Sequence, residues 1–188
     1  MRGPLLSGPL GSGATLDRIG RLLQERQPIV VLSALWLAEA LASSYPVLAL
    51  VEEDKRSGAL RAVRRASKSA RPLLVVSAAE DLPLGRGVVG AILIENLMDV
   101  EDQAAAEDLL VGLLPTLRPA GVVVSLDATR HQETEARLAA LFLAAELTGI
   151  SQVRPREGAL LTIGSAPPLT VTAVRAARRL AVPGEPRE

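Results

Sequence analysis

Short runs of branched apolar residues alternate along this chain with stretches whose apolar positions recur every three or four residues. The runs are Ile29–Leu32, Val47–Val51, Leu73–Ser77, Val88–Ile94 and Val122–Leu126. Their lack of polar alternation predicts strands buried on both faces, as in a parallel sheet. Between them, Leu16, Ile19, Leu22 and Leu23 predict an amphipathic helix ending near Gln27-Pro28, and a second helix is expected over about Trp36 to Ser43. Leu60, Val63 and Ala66 predict the inward face of a third helix, and Ala104 to Leu117 a fourth. Leu138, Leu141, Phe142 and Ala145 mark a fifth, with Gly149 as its expected C-cap. Ile150–Arg154 and Ala159–Gly164 flank Pro155-Arg156-Glu157-Gly158 and read as a hairpin.

The expected fold is therefore α/β: a three-layer sandwich, with helices on both faces of a mostly parallel, Rossmann-like sheet that ends in an antiparallel hairpin. Residues 1–13 read as a flexible lead, 14–164 as the α/β domain, and 165–188 as a helical or disordered tail.

Composition narrows the chemistry. A chain of 188 residues, 48% hydrophobic, is long enough for one well-filled core. Its 21 basic and 21 acidic residues cancel, so no overall field draws it to nucleic acid or an anionic membrane. It has no cysteine, which excludes disulfides, thiolate metal sites and a cysteine nucleophile, and its single histidine, His131, excludes a histidine cluster. Aromatic residues make up 2%, leaving Trp36, Tyr45 and Phe142 for any stacking on bases. No apolar run approaches the roughly 20 residues of a membrane span. Met1 to Gly13 is broken by Pro4, Gly8, Pro9, Gly11 and Gly13, unlike a signal peptide, so a cytoplasmic protein is expected.

Two stretches carry a resemblance. Ala79-Glu80-Asp81-Leu82-Pro83-Leu84 resembles the Gly-Asp-Ala-Glu-Asp-Leu-Pro-Phe stretch of class I S-adenosylmethionine-dependent methyltransferases, and Leu113 to Gly121 resembles their Leu-(Arg/Lys)-Pro-Gly-Gly approach to the fifth strand. The resemblance covers about Ile29 to Gly164. It implies cofactor contacts at a glycine loop after the first strand, but Ser33, Ala34, Leu35 and Trp36 stand there, and Trp36 is placed to plug the site. It also implies that an acidic residue after the second strand holds the ribose hydroxyls. Glu52 or Glu53 fits that role, with Asp54 beside them, and backbone near Ala79 would meet the adenine. The family's adenine-binding Asp aligns with Ala78, and a further family Asp aligns with Gly90.

Other polar residues gather where the strands end. Glu95-Asn96 offers a general base or a substrate clamp, set against a plain polar loop with a helix cap. Asp127 with His131 offers an acid/base pair, set against Asp127 or Thr129 as a helix N-cap. Ser77 and Asp99 complete the rim. Arg61, Arg64, Arg65 and Lys68, extended by Arg71, form a basic stripe, and Glu101, Asp102, Glu107 and Asp108 an acidic counterpart.

The leading expectation is a methyltransferase-like domain that has lost normal cofactor binding, carries no catalytic residues or metal, and binds another protein or itself. An active S-adenosylmethionine-dependent enzyme with an unusual first loop is the alternative. Nucleic-acid binding through the arginine-rich helix comes last.

Overall fold

A computed structural model describes residues 13–32, 34–51, 53–65, 72–76, 84–99, 102–128, 133–156 and 158–167. In chain order these form α1 (Gly13–Leu23), β1 (Ile29–Leu32), α2 (Leu35–Ala42), β2 (Val47–Val51), α3 (Arg56–Arg65), β3 (Leu73–Val76) and β4 (Val89–Glu95). Then follow α4 (Gln103–Leu113), β5 (Leu117–Ala128), α5 (Glu133–Ala144), β6 (Thr148–Arg156) and β7 (Ala159–Ser165). The seven strands lie in one sheet in the order β3-β2-β1-β4-β5-β7-β6. β1 to β5 run parallel, and β7 pairs antiparallel with both β5 and β6. The α/β sandwich with a terminal hairpin is thus as the apolar pattern predicts.

Strand alternation divides the core into two layers. Val31, Leu93 and Val124 point to the face covered by α1 and α2, packing with Ile19, Leu23, Leu37 and Leu41. Val30, Ile92 and Val123 point to the other face, against Leu110, Leu113, Leu138 and Phe142 of α4 and α5. All four residues of β1 are buried, which explains why that segment shows no polar alternation.

Several expected boundaries are corrected. The fourth helix stops at Leu113, because Pro115 cannot continue the α-helical ladder, and a 3-10 turn over Leu114–Thr116 leads into a β5 that starts five residues early. Gly149 does not cap the fifth helix. Glu146 takes the left-handed conformation at φ 65°, with Leu147 N–H donating to Phe142 C=O and Glu146 N–H to Leu143 C=O. That is a Schellman closure, and Leu147 packs in the same cluster as Phe142. In α3 the residue that faces inward is Ala59, while Leu60 is 37% exposed, so the helix is rotated from the expected face. Ser165 belongs to β7, and Gly13 is the first residue of α1. The remainder of the expected lead and tail, residues 1–12 and 168–188, lies outside the described residues.

Gly90 is explained by packing at the amino end of β4. A Cβ atom there would lie 2.4 Å from the carbonyl carbon of Arg26 and 2.5 Å from its oxygen, far inside contact distance. Gly90 N–H donates to Pro28 C=O at 2.9 Å, so the two backbones touch directly. No side chain, aspartate included, fits that approach.

Candidate functional site

The strand order reverses direction of growth between β1 and β4, and in open α/β sheets the crevice outside the carboxyl ends at such a point receives ligands. Leu32 of β1 is in register with Ile94 of β4, so the next residue of β4, Glu95, stands at the mouth of that crevice. Alternation along β4 turns Glu95 toward the α1/α2 face, because Leu93 two residues earlier packs there. From the other side, Trp36 in the first turn of α2 donates its Nε1–H to Glu95 Oε2 at 2.9 Å. The indole therefore reaches from the β1 side to the β4 side of the crevice.

Both partners are half-buried. Burial raises the Glu95 pKa above its ordinary value of 4.5; the Trp36 hydrogen bond opposes that rise and the nearby negative charge of Asp127 adds to it. Glu39, one turn along α2 from Trp36, has a buried Oε1 with no hydrogen-bond partner among the described residues, and burial raises its pKa as well. Glu39 belongs to no motif, although a carboxylate in the middle of an otherwise apolar Leu35–Ala42 helix is a legible signal.

Asp127 is corrected from helix cap to turn anchor. It lies within β5, 1% exposed, and its Oδ1 accepts from the backbone N–H of Met98 at 2.9 Å. Asn96, at φ 53°, donates its N–H to Leu126 C=O at 2.9 Å. The turn leaving β4 is thus fastened to β5 at two points, and Glu95 projects from a rigid support. The helix-cap role among the acidic residues belongs instead to Asp102, which accepts from Ala104 N–H at 2.9 Å at the start of α4.

Of the other expected site residues, only some are described. Glu53 sits in an exposed 3-10 turn, paired with Arg56 at 2.9 Å. Arg61, Arg64 and Arg65 are exposed along α3, as expected for the basic stripe. Ser33, Glu52, Ala66, Lys68, Arg71, Ser77, Ala78, Ala79, Glu101, Thr129 and His131 lie outside the described residues, and of Asp99 only the backbone is described. Among the described residues no group of three acidic or histidine side chains is placed to hold a metal. No helix among them is long and apolar enough to cross a membrane.

Two cavities lie away from the indole. One of about 290 Å³ opens between α1 and α2, lined by Leu16, Asp17, Arg21, Leu41, Ser44 and Tyr45 among others. The other, about 10 Å³, is bounded by Leu97, Met98, Gln103 and Arg137 and has room for about one water molecule. Neither has Trp36 or Glu95 in its walls.

Strand order, mixed sheet ending and flanking helices define the class I S-adenosylmethionine-dependent methyltransferase fold, and solved structures agree. A putative O-methyltransferase from Nostoc punctiforme superposes with a TM-score of 0.67 at 16% identity, over 80% of this chain and 55% of that one. A methyltransferase from Methanosarcina mazei matches at TM-score 0.60 and 14% identity, over 79% of this chain and 96% of that one. The complex between the Haloferax volcanii Trm112 methyltransferase activator and the putative methyltransferase includes a chain matching at TM-score 0.55 and 16% identity, over 80% of this chain and 91% of that one. This chain thus spans about half the length of the Nostoc protein and nearly all of the Methanosarcina one. No protein-family model matches the chain, and no curated protein matches it in sequence. At these identities the likeness concerns the fold.

Proposed function

We propose that this protein is a non-catalytic member of the methyltransferase fold that has given up ordinary S-adenosylmethionine binding and serves as a binding subunit for another protein. The observation that carries the reading is the Trp36 indole hydrogen-bonded to Glu95 across the β1–β4 crevice. In this fold the backbone after β1 must come close to the cofactor, which is the work of glycine. Here Ala34 and Leu35 lead straight into α2, and the largest side chain type stands in its first turn. A cofactor entering the crevice would have to displace the indole and leave the half-buried Glu95 without its donor. The described residues therefore do not fit the cofactor, and no catalytic step is assigned to them. The Haloferax complex, a methyltransferase with a protein activator, supports a protein partner for this fold.

The shared naming of the neighbouring structures favours a second reading: an active S-adenosylmethionine-dependent enzyme, with Glu52 or Glu53 on the ribose and backbone near Ala79 on the adenine. The Glu53–Arg56 pair counts against Glu53 in that role, since its carboxylate is already engaged at the surface. A ligand present at ~100 times its dissociation constant adds about 2.7 kcal/mol to folded-state stability. Millimolar S-adenosylmethionine or S-adenosylhomocysteine is expected to leave the melting temperature unchanged; a saturable rise would overturn this reading.

A further inference from the structure

The sheet has two edges, and they are built differently. At β6, Ser151 and Arg154 are exposed, Arg154 is paired with Glu135 at 2.6 Å, and Pro155 removes a backbone donor. Register shifts between Thr148 and Ser151, and between Val153 and Arg156, interrupt its ladder. Charge, proline and bulges are among the means by which an edge strand avoids pairing with another chain. The four residues of β3 carry none of these three. The strand reads Leu73-Leu74-Val75-Val76, in unbroken register with β2 from Leu48–Leu73 to Val51–Val76, and its far side pairs with no described strand.

The side chains of β3 point the same way. Leu73 is 67% exposed, the most exposed large apolar residue among those described, and Leu74, Val75 and Val76 are only half-buried. Register places Leu73 and Val75 on one face with Leu48 and Leu50. Beside this edge packs α3, whose Arg61, Arg64 and Arg65 are exposed. A second copy is a poor occupant. Pairing two β3 strands antiparallel about a two-fold axis would set two cationic α3 helices side by side on one face of the joined sheet.

We propose that β3 is the docking edge for an extended segment of a partner protein. The segment adds a strand to the sheet through its backbone, lays apolar side chains on Leu73 and Val75, and sets carboxylates beside Arg61 and Arg65. Backbone pairing supplies affinity, while alternate side chains and the cationic flank supply selection. The surface rests on the binding role proposed above, but its test does not involve the crevice, so either can fail alone.

The probe is a nine-residue peptide alternating valine and glutamate, with a valine–lysine peptide as its control, added to the full chain while amide hydrogen exchange is followed. In the free protein the β3 amides that point away from β2 are expected to exchange fast. Saturating valine–glutamate peptide should slow them by about tenfold or more, the valine–lysine peptide should not, and Leu73→Lys should abolish the effect without lowering the melting temperature. Equal action of the two peptides, or of neither, would overturn the proposal. So would protection of the outward-pointing β3 amides in the free protein, whether that protection rises with protein concentration, as for a second copy, or disappears on removing residues 168–188.

Discussion

The two ends of β1 and β4 differ in what they tolerate. At the amino end, backbone meets backbone: Gly90 lies against Arg26 and Gln27, and its N–H is bonded to Pro28. At the carboxyl end, side chain meets side chain: Trp36 and Glu95 cross the crevice, and Asp127 fastens the next turn. Two apparent departures from the methyltransferase pattern therefore have separate causes. Gly90 stands where only glycine fits, at the opposite end of the strands from any ligand at the rim, so it says nothing about cofactor loss. The Ala34–Trp36 segment follows β1 at its carboxyl end, where open α/β sheets receive ligands.

The comparison can be broken first at the amino end. Gly90→Ala should destabilise the protein by about 3 kcal/mol, because the added Cβ must push two backbone segments apart; urea unfolding would measure it, and a near-neutral result would void the packing account. At the carboxyl end Asp127→Ala should cost about 2 kcal/mol by leaving the Met98 N–H without its acceptor in a buried turn. Trp36→Phe should cost less, about 1 kcal/mol, since the half-exposed Glu95 regains water when the indole donor is removed.

The smallest expected effect has the opposite sign. Because burial raises the Glu95 pKa above 4.5, the folded chain holds more proton there than the unfolded chain does. Stability from this group is complete below pH 4.5 and is lost as pH rises through the raised pKa. Glu95→Gln, which keeps an oxygen for the indole, should therefore be slightly more stable than the parent near neutral pH. The difference between the two melting curves should vanish at acid pH; a constant difference would show that Glu95 ionises normally.

The fold was legible because buried strands write themselves as apolar runs: Ile29–Leu32, Val47–Val51 and Val122–Leu126 needed no partner to be recognised. Helix ends were less legible. Glu146 in a left-handed cap is set by Leu147 and Phe142 closing over it, a tertiary contact, whereas Gly149 offered the stronger local signal and was misleading. At the site, the sequence placed Trp36 where the glycine loop should be, and Glu95 at the end of β4. It gave no sign that the two touch across 59 residues, since only strand order brings them together. Asp127 looked like a helix cap because an acidic residue after a strand often is one, and its true acceptor role depends on a turn from β4. Ala78 and Ala79, on which the adenine comparison turns, lie outside the described residues.

Trp36 is the only tryptophan in the chain, so its emission reports on the crevice alone. Lowering the pH should shift that emission as Glu95 takes up its proton, and Glu95→Gln should remove the shift, which establishes that the reporter senses its partner. Titrating S-adenosylmethionine and S-adenosylhomocysteine to millimolar concentration at neutral pH is then the most direct test. A closed crevice predicts no saturable change in Trp36 emission, whereas a saturable change that Trp36's partner Glu95 shares, seen as loss of the pH response, would contradict it.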